Sequence, residues 1–423
     1  MVTWLFLDKA HRPVIKMGFQ KIVSETFCQH CRKRKKLRLI YISQGNIPSK
    51  WVHTFQTMKM AQAFAKMSPS FELLTKGDLP TLFHKPEPSK IFDWYGIHHS
   101  FHVTYLPVYR RFPENHVELH DYFPRFIRVA VGYARLHRSV VVFTREPHAA
   151  YLATKWKLPT IFEFHGGSEH CRFDFIRKTM GRPHLLGIVT ISEIIKDEYV
   201  EYGVPQADIL VLPTAVDLHA FNNLPDKKTL CQRLQLPSDT YIATYCGHLY
   251  QNRGVEGILQ AAESLPEVCF LFVGGWERDV QKYQAQASHL RNVIFTGFIS
   301  NKQVPEYLGA SDVLLMPYSS QCSTAKWMSP MKLFEYMAAK RPIIATDIPA
   351  LHSHLVHGRN SFIIPPDNPE ELTRSIRTLM RRPILSAQLA QRAYHDVQSY
   401  TWEKRARSIL ETFIPEMFAQ KMS

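Results

Sequence analysis

No stretch of this chain approaches the roughly 20 apolar residues that a membrane-spanning helix requires. The opening MVTWLFL is too short for a signal-peptide core and has no basic segment ahead of it. Cysteine is scarce: there are seven, an odd number at scattered spacing, which argues against a disulfide framework and suits a reducing compartment. Cys28 and Cys31 form a C-x-x-C with His30 inside, but no second pair accompanies them, so the zinc signal is weak. No clear Asp-x-Asp metal pair stands near a strand end, no nucleic-acid-binding motif occurs, and no internal repeat of about 20–50 residues is present. These absences predict a cytoplasmic protein with no membrane span, no metal centre and no nucleic-acid partner.

What is present is bulk and positive charge. At 423 residues and 45% hydrophobic, the chain can build two substantial cores. The formal net charge is +15. Residues 1–225 hold 30 Lys/Arg against 19 Asp/Glu, and residues 226–423 hold 22 against 18. The basicity therefore sits in the first half, partly in the run CRKRKKLR at 31–38. Such charge suits an anionic membrane surface, which would place the protein at the inner face of a membrane. A solvated basic tail is the competing reading.

The residues divide into five parts. Residues 1–36 read as a basic extension ahead of the first strand, LRLIYIS. From 37 to 216, short apolar strands such as SVVVFT, TIFEF and LLGIVTIS alternate with helical segments, the pattern of a parallel sheet covered by helices. A Tyr-, Phe-, His- and Pro-rich stretch before Pro124 reads as irregular. Residues 217–240 are polar with no sustained strand pattern and read as a linker. From 241 to 400 a second series follows, with strands YIATYCG, VCFLFVGG, VIFTGF, DVLLMPY, PIIAT and SFIIP. Asn368, Pro369 and Glu371 form a capping-box arrangement. Residues 401–423 read as a closing helix.

The densest chemistry lies in SPMKLFEYMAAKRPIIATDIP, Ser329 to Pro349. Ser329 suits a helix N-cap and Pro330 the first helical position. Met331, Phe334, Met337 and Ala338 form a core-facing stripe, and Lys332, Glu335 and Tyr336 share a second face. A lysine and a carboxylate near a helix N-terminus suit a phosphorylated, hydroxyl-rich ligand, because amide dipoles favour phosphate and a carboxylate accepts from ribose hydroxyls. A second candidate is GHLYQNRG, Gly247 to Gly254, joining a strand end to a helix start. There the glycines allow close backbone approach and Arg253 can meet a diphosphate with its fork.

With YCGHLYQNRGVEGILQAAESLPEVCFLFVGG, VIFTGFISNKQVPEYLGASDVLLMPY, NSFIIPPDNPEELTRSI, TIFEFHGG and YTWEKRARSIL in this order, roughly residues 37–415 resemble glycosyltransferase family 4, the retaining enzymes of GT-B fold. The resemblance implies two Rossmann-like α/β domains facing a cleft, and transfer of a sugar from a nucleoside-diphosphate sugar to a hydroxyl of a glycan or glycolipid. It implies no cofactor besides the donor. By the same resemblance, donor contacts fall to Gly247, His248, Arg253, Gly254, Ser329, Lys332 and Glu335. His165, Arg253 and Glu335 stand nearest the chemistry. His165 would bond to the donor sugar and shape the site. Gly45 and Asn46 lie in the loop that in the family approaches donor and acceptor, and Arg145, at another strand end, could serve acceptor binding or simply fix its loop.

Two departures from the family pattern stand out. His248 occupies a position usually held by arginine, and protonation beside a diphosphate would restore its charge. Trp327 occupies the place of the first of two glutamates separated by seven residues. A nucleotide-sugar hydrolase or epimerase of the same fold, or a binding subunit without activity, remains as an alternative.

Overall fold

The computed structural model describes residues 37–77, 87–107, 123–166 and 173–419. The extension 1–36, with its basic run up to Lys36 and its C-x-x-C, lies outside the described residues, as does Gly167.

Two parallel sheets form the frame. The first contains β1 (Arg38–Ile42), β2 (Phe71–Gly77), β3 (His102–Pro107), β4 (Val140–Thr144), β5 (Thr160–Glu163), β6 (Leu185–Thr190) and β7 (Ile209–Val211), in the order β3-β2-β1-β4-β5-β6-β7. The second contains β8 (Tyr241–Cys246), β9 (Val268–Val273), β10 (Val293–Phe295), β11 (Val313–Met316), β12 (Ile343–Thr346) and β13 (Phe362–Ile364), in the order β10-β9-β8-β11-β12-β13. Central strands such as VVVFT and VLLM are buried along their whole length, which is why they read as continuous apolar runs rather than alternating ones. In each sheet the order reverses beside one strand: β1 pairs with both β2 and β4, and β8 with both β9 and β11. Crevices at the C-terminal ends of strands open at such reversals.

The chain departs from its sequence reading at several places. The aromatic stretch before Pro124 contains a helix, Pro88–Trp94, and the edge strand β3, paired to β2 from Glu72↔His102 to Gly77↔Pro107. Within 217–240, Asp226 caps a helix, Lys227–Leu234, by accepting from Thr229 N. Leu230 and Cys231 are buried in the second domain's core, and Lys227 Nζ lies 2.6 Å from Asp312. The second domain thus begins before 240. At the other end, Asn368 accepts from Glu371 N, while the Glu371 carboxylate pairs with Arg374.

Two crossings join the domains side by side. Val216 N donates to Tyr400 O at 2.9 Å, and Val216 and Thr401 form a parallel bridge. The helix Trp402–Phe413 then lies on the helix Val52–Met67 of the first domain. Gly187 on β6 leaves the room this helix needs: a Cβ there would stand 1.9 Å from Phe413 Cε1.

Candidate active site

Beside β8, where the second sheet reverses, a cavity of about 380 Å³ opens against the first domain. One wall carries Gly247, His248 and Arg253 from the loop after β8, with Ser329, Lys332 and Glu335 from the segment opening the helix Met331–Ala338. The facing wall carries Lys50, Phe55 and Gln56. Six of the seven residues expected to meet a donor therefore line one cavity. Gly254 stands behind it as the N-cap of the helix Val255–Ser264.

The glycines are demanded by geometry at two positions. Gly254 has φ +82, and a Cβ there would lie 1.8 Å from Pro317 O. Gly247 has φ +136, and a Cβ there would lie 3.0 Å from Lys332 Nζ.

Lys332 is half-buried as a residue, but its Nζ is sealed from water with no hydrogen-bond partner among the described residues. It rests 3.9 Å from the Tyr245 ring centroid and 5.3 Å from that of Tyr318. Burial, then the neighbouring Arg253, pull its pKa down to about 7. Glu335, one turn on, makes no hydrogen bond or ion pair among the described residues, and burial pushes its pKa up to about 7. Arg253 lies over the Tyr318 ring at 4.9 Å and donates to Met328 Sδ at 3.6 Å, with no carboxylate partner among the described residues. Two cations thus meet rings and a thioether where carboxylates would ordinarily stand. A bound anion would supply the missing charge and restore the protonated lysine.

Tyr336 belongs to the core rather than to the Lys332–Glu335 face: its hydroxyl accepts from Cys246 N at 2.7 Å and donates to Leu315 O at 3.3 Å. Ser329 does not cap the helix. Pro330 holds the N-cap position in extended conformation, and Ser329 Oγ accepts from Thr214 N at 2.9 Å, tying the two halves together. His248 stacks on Trp276 at 5.2 Å and on Tyr250 at 5.0 Å. Burial, then Lys332, lower its pKa, so the imidazole is neutral in the free protein rather than charged.

His165 is not on the cavity lining. Its Nε2 lies 2.7 Å from Glu163 Oε1, and Arg145 Nη2 donates to its Nδ1 at 2.8 Å. Burial, then Arg145, lower its pKa to about 4, so both ring nitrogens are occupied on a neutral imidazole. Arg145 Nη1 in turn donates to Gln56 Oε1 at 2.8 Å, and Gln56 faces the cavity. Behind His165, buried Glu163 accepts from Arg405 Nη1 at 2.8 Å. Burial alone would raise the Glu163 carboxyl, but Arg405, His165 and Arg145 hold it well below the usual range. The sequence reading passed over Glu163, although it stands two residues before His165 and shares its side of the strand. Arg405, 242 residues away, leaves no local signal. Gly45 is buried and its carbonyl accepts from Thr75 Oγ1 at 2.6 Å, Asn46 is exposed, and neither lines the cavity. Trp327 is half-buried against the first-domain cluster that contains Phe162 and Ile176.

Residues 226–396 match the family described as Glycosyl transferases group 1, and residues 56–220 match Glycosyltransferase Family 4. The chain is 25% identical over 260 residues to TuaC of Bacillus subtilis, whose name assigns it as a glycosyltransferase to teichuronic acid biosynthesis, covering 59% of this chain and 62% of TuaC. It is 21% identical over 224 residues to alpha-galactosylglucosyldiacylglycerol synthase of Streptococcus pneumoniae, covering 51% of this chain and 57% of that protein. The matches thus span less than two thirds of either relative. Among solved structures, sucrose-phosphate synthase of Thermosynechococcus elongatus superposes with TM-score 0.71 at 18% identity, covering 91% of this chain and all (100%) of that one. Anabaena HepE in complex with UDP-glucose superposes with TM-score 0.68 at 17% identity, covering 89% and 99%. These likenesses show the fold.

Proposed function

The chain belongs to the glycosyltransferases of family 4 and group 1, and from that premise we propose that its cleft binds a nucleoside-diphosphate sugar and passes the sugar to a hydroxyl with retained anomeric configuration. The observation that carries this reading is the pair of basic side chains without carboxylate partners among the described residues, Lys332 and Arg253, set at the N-terminal ends of two helices in one cavity. The diphosphate bonds to both cations and to helix amides, and Glu335 accepts from the ribose hydroxyls. As the glycosidic bond breaks, the leaving diphosphate gains charge, and these groups stabilise it more than they stabilise the intact donor. The same cations do the work a divalent ion does elsewhere, so turnover persists in EDTA.

Retention is proposed in keeping with the resemblance to the retaining enzymes of family 4. The acceptor class, a polysaccharide or lipid-linked glycan, is supported by the names of TuaC and the pneumococcal synthase. UDP-sugars come first among donors to test, given HepE.

The experiment is turnover of UDP-, GDP- and ADP-sugars with and without a glycan or glycolipid acceptor, with the product anomer read by NMR. Acceptor-dependent transfer with retention is expected. Hydrolysis that ignores the acceptor, or binding with no turnover, would contradict the reading.

A further inference from the structure

Three helices of the first domain, Phe123–Arg135, Pro147–Lys155 and Phe173–Thr179, pack side by side. Their inner faces fill the core: Phe126, Ile127, Ala130, Val131 and Ala134 of the first join Ala149 and Ala153 of the second. The outer face of the first helix presents Arg125, Arg128 and Arg135, with Arg138 just beyond. The second adds exposed Lys155 and Lys157 at its end. The third adds exposed Arg177 and Lys178, with half-buried Arg182 following. Asp174 is the only exposed carboxylate among the described residues of these helices and their near flanks.

These nine cations gather on one face that holds a single exposed carboxylate among the described residues. Elsewhere, Lys90, Lys302, Arg359, Arg374 and Arg407 each hold a carboxylate. None of the nine does among the described residues. Several lie over rings instead: Arg182 over Tyr151 at 4.7 Å, Lys178 over Phe175 at 5.3 Å and Arg135 over Trp156 at 5.8 Å. Two apolar side chains project beside them, Leu136 at 83% exposure and Val129 at 42%.

We propose that this three-helix face docks on an anionic lipid bilayer. Cations with no carboxylate partner among the described residues meet phosphate headgroups there. Aromatic bodies with cations beside them suit the headgroup level, and Leu136 can enter the acyl boundary. Nucleic acid would use the charge alone and leave Leu136 and Val129 without a role. The proposal does not rest on the sugar-transfer reading, and its test is binding only.

The full chain is sedimented with vesicles of pure phosphatidylcholine and with vesicles of equal parts phosphatidylcholine and phosphatidylglycerol. Two triple variants with the same change in net charge are compared. One is Arg125→Glu, Arg128→Glu, Arg135→Glu on the proposed face. The other is Lys90→Glu, Arg374→Glu, Arg407→Glu elsewhere. A third, Arg125→Gln, Arg128→Gln, Arg135→Gln, removes the charge should reversal impair folding. Binding to the mixed vesicles alone is expected, weakening with salt. The face variants should lose about tenfold or more in partitioning, while the control triple keeps its binding. The proposal fails if wild type ignores the mixed vesicles, if the two Glu triples lose equally, or if the face variants bind as wild type. It fails too if short duplex DNA binds more tightly than the vesicles.

Discussion

Lys332 and Glu335 stand one helical turn apart, and burial has moved each toward its neutral form. The two signs differ. The folded Lys332 pKa is depressed, so its contribution to stability is present at high pH and is lost as pH falls through about 7. The folded Glu335 pKa is raised, so its contribution is present below the ordinary carboxylate pKa and is lost as pH rises through about 7. A bound diphosphate needs the charged lysine, and a bound ribose needs the charged carboxylate. Donor binding should therefore take up protons at about pH 8 and release them at about pH 6, read by calorimetry in buffers of different ionisation enthalpy. A binding heat independent of buffer at both pH values would refute this linkage. Glu335→Ala should weaken donor binding by about 1.5–3 kcal/mol, the worth of a charged hydrogen bond. The same variant should gain thermal stability above pH 7 but not at low pH, because only the charged form is disfavoured by burial. The i, i+3 spacing made this pair readable in the sequence. It also misplaced Tyr336, because a residue on the edge of a helix face can turn to either side, and here two backbone partners hold it in the core.

At the next scale, elements hold the site through single close contacts. Glu163 on β5 joins His165 to Arg405 on the helix Trp402–Phe413. Glu163→Gln leaves a buried arginine without its counter-charge and should cost about 3–5 kcal/mol in chemical denaturation at neutral pH. Because the native carboxyl is held well below its ordinary range, its contribution is present at neutral pH and fades in acid, so the gap between wild type and variant should close as pH falls. A gap unchanged by acid would mean the pair does not stabilise through charge. Gly187 and Phe413 give a second test. Gly187→Ala should destabilise the wild-type background but not a Phe413→Ala background, a coupling of about 1 kcal/mol in a double-mutant cycle. Additive effects would place the closing helix elsewhere. The buried strands of the second domain were legible because continuous apolar runs need no partner to be recognised. β3 was hidden because an edge strand in an aromatic, proline-rich setting has no clean period, and the helix Lys227–Leu234 because only Leu230 and Cys231 of its eight residues are buried.

For the whole molecule, the cavity exists only because two domains face each other. Lys50, Phe55 and Gln56 come from one and Arg253, Lys332 and Glu335 from the other. Contacts across the cleft hold this arrangement: Trp51 lies 5.1 Å from Trp276, Lys302 Nζ lies 2.7 Å from Asp93, and Ser329 bonds to Thr214. The exposed Lys302–Asp93 pair adds little, about 0–1 kcal/mol, while the buried Ser329–Thr214 bond joins the segment before the donor-side helix to the segment that crosses between domains. Six of the seven residues that the resemblance assigns to the donor line one cavity, and Gly254 stands behind it. The resemblance could not show that His165 connects to the cavity through Arg145 and Gln56, since that chain depends on which side chains the fold brings together. The most direct test of the account is calorimetric titration of UDP, GDP and ADP into wild type, Arg253→Ala and Lys332→Met, with folding checked by thermal unfolding. One of these nucleotides should bind wild type at one site, and each substitution should weaken it at least tenfold, equivalent to about 1.4 kcal/mol. A nucleotide that binds all three proteins equally, or the failure of all three nucleotides to bind wild type, would contradict the account.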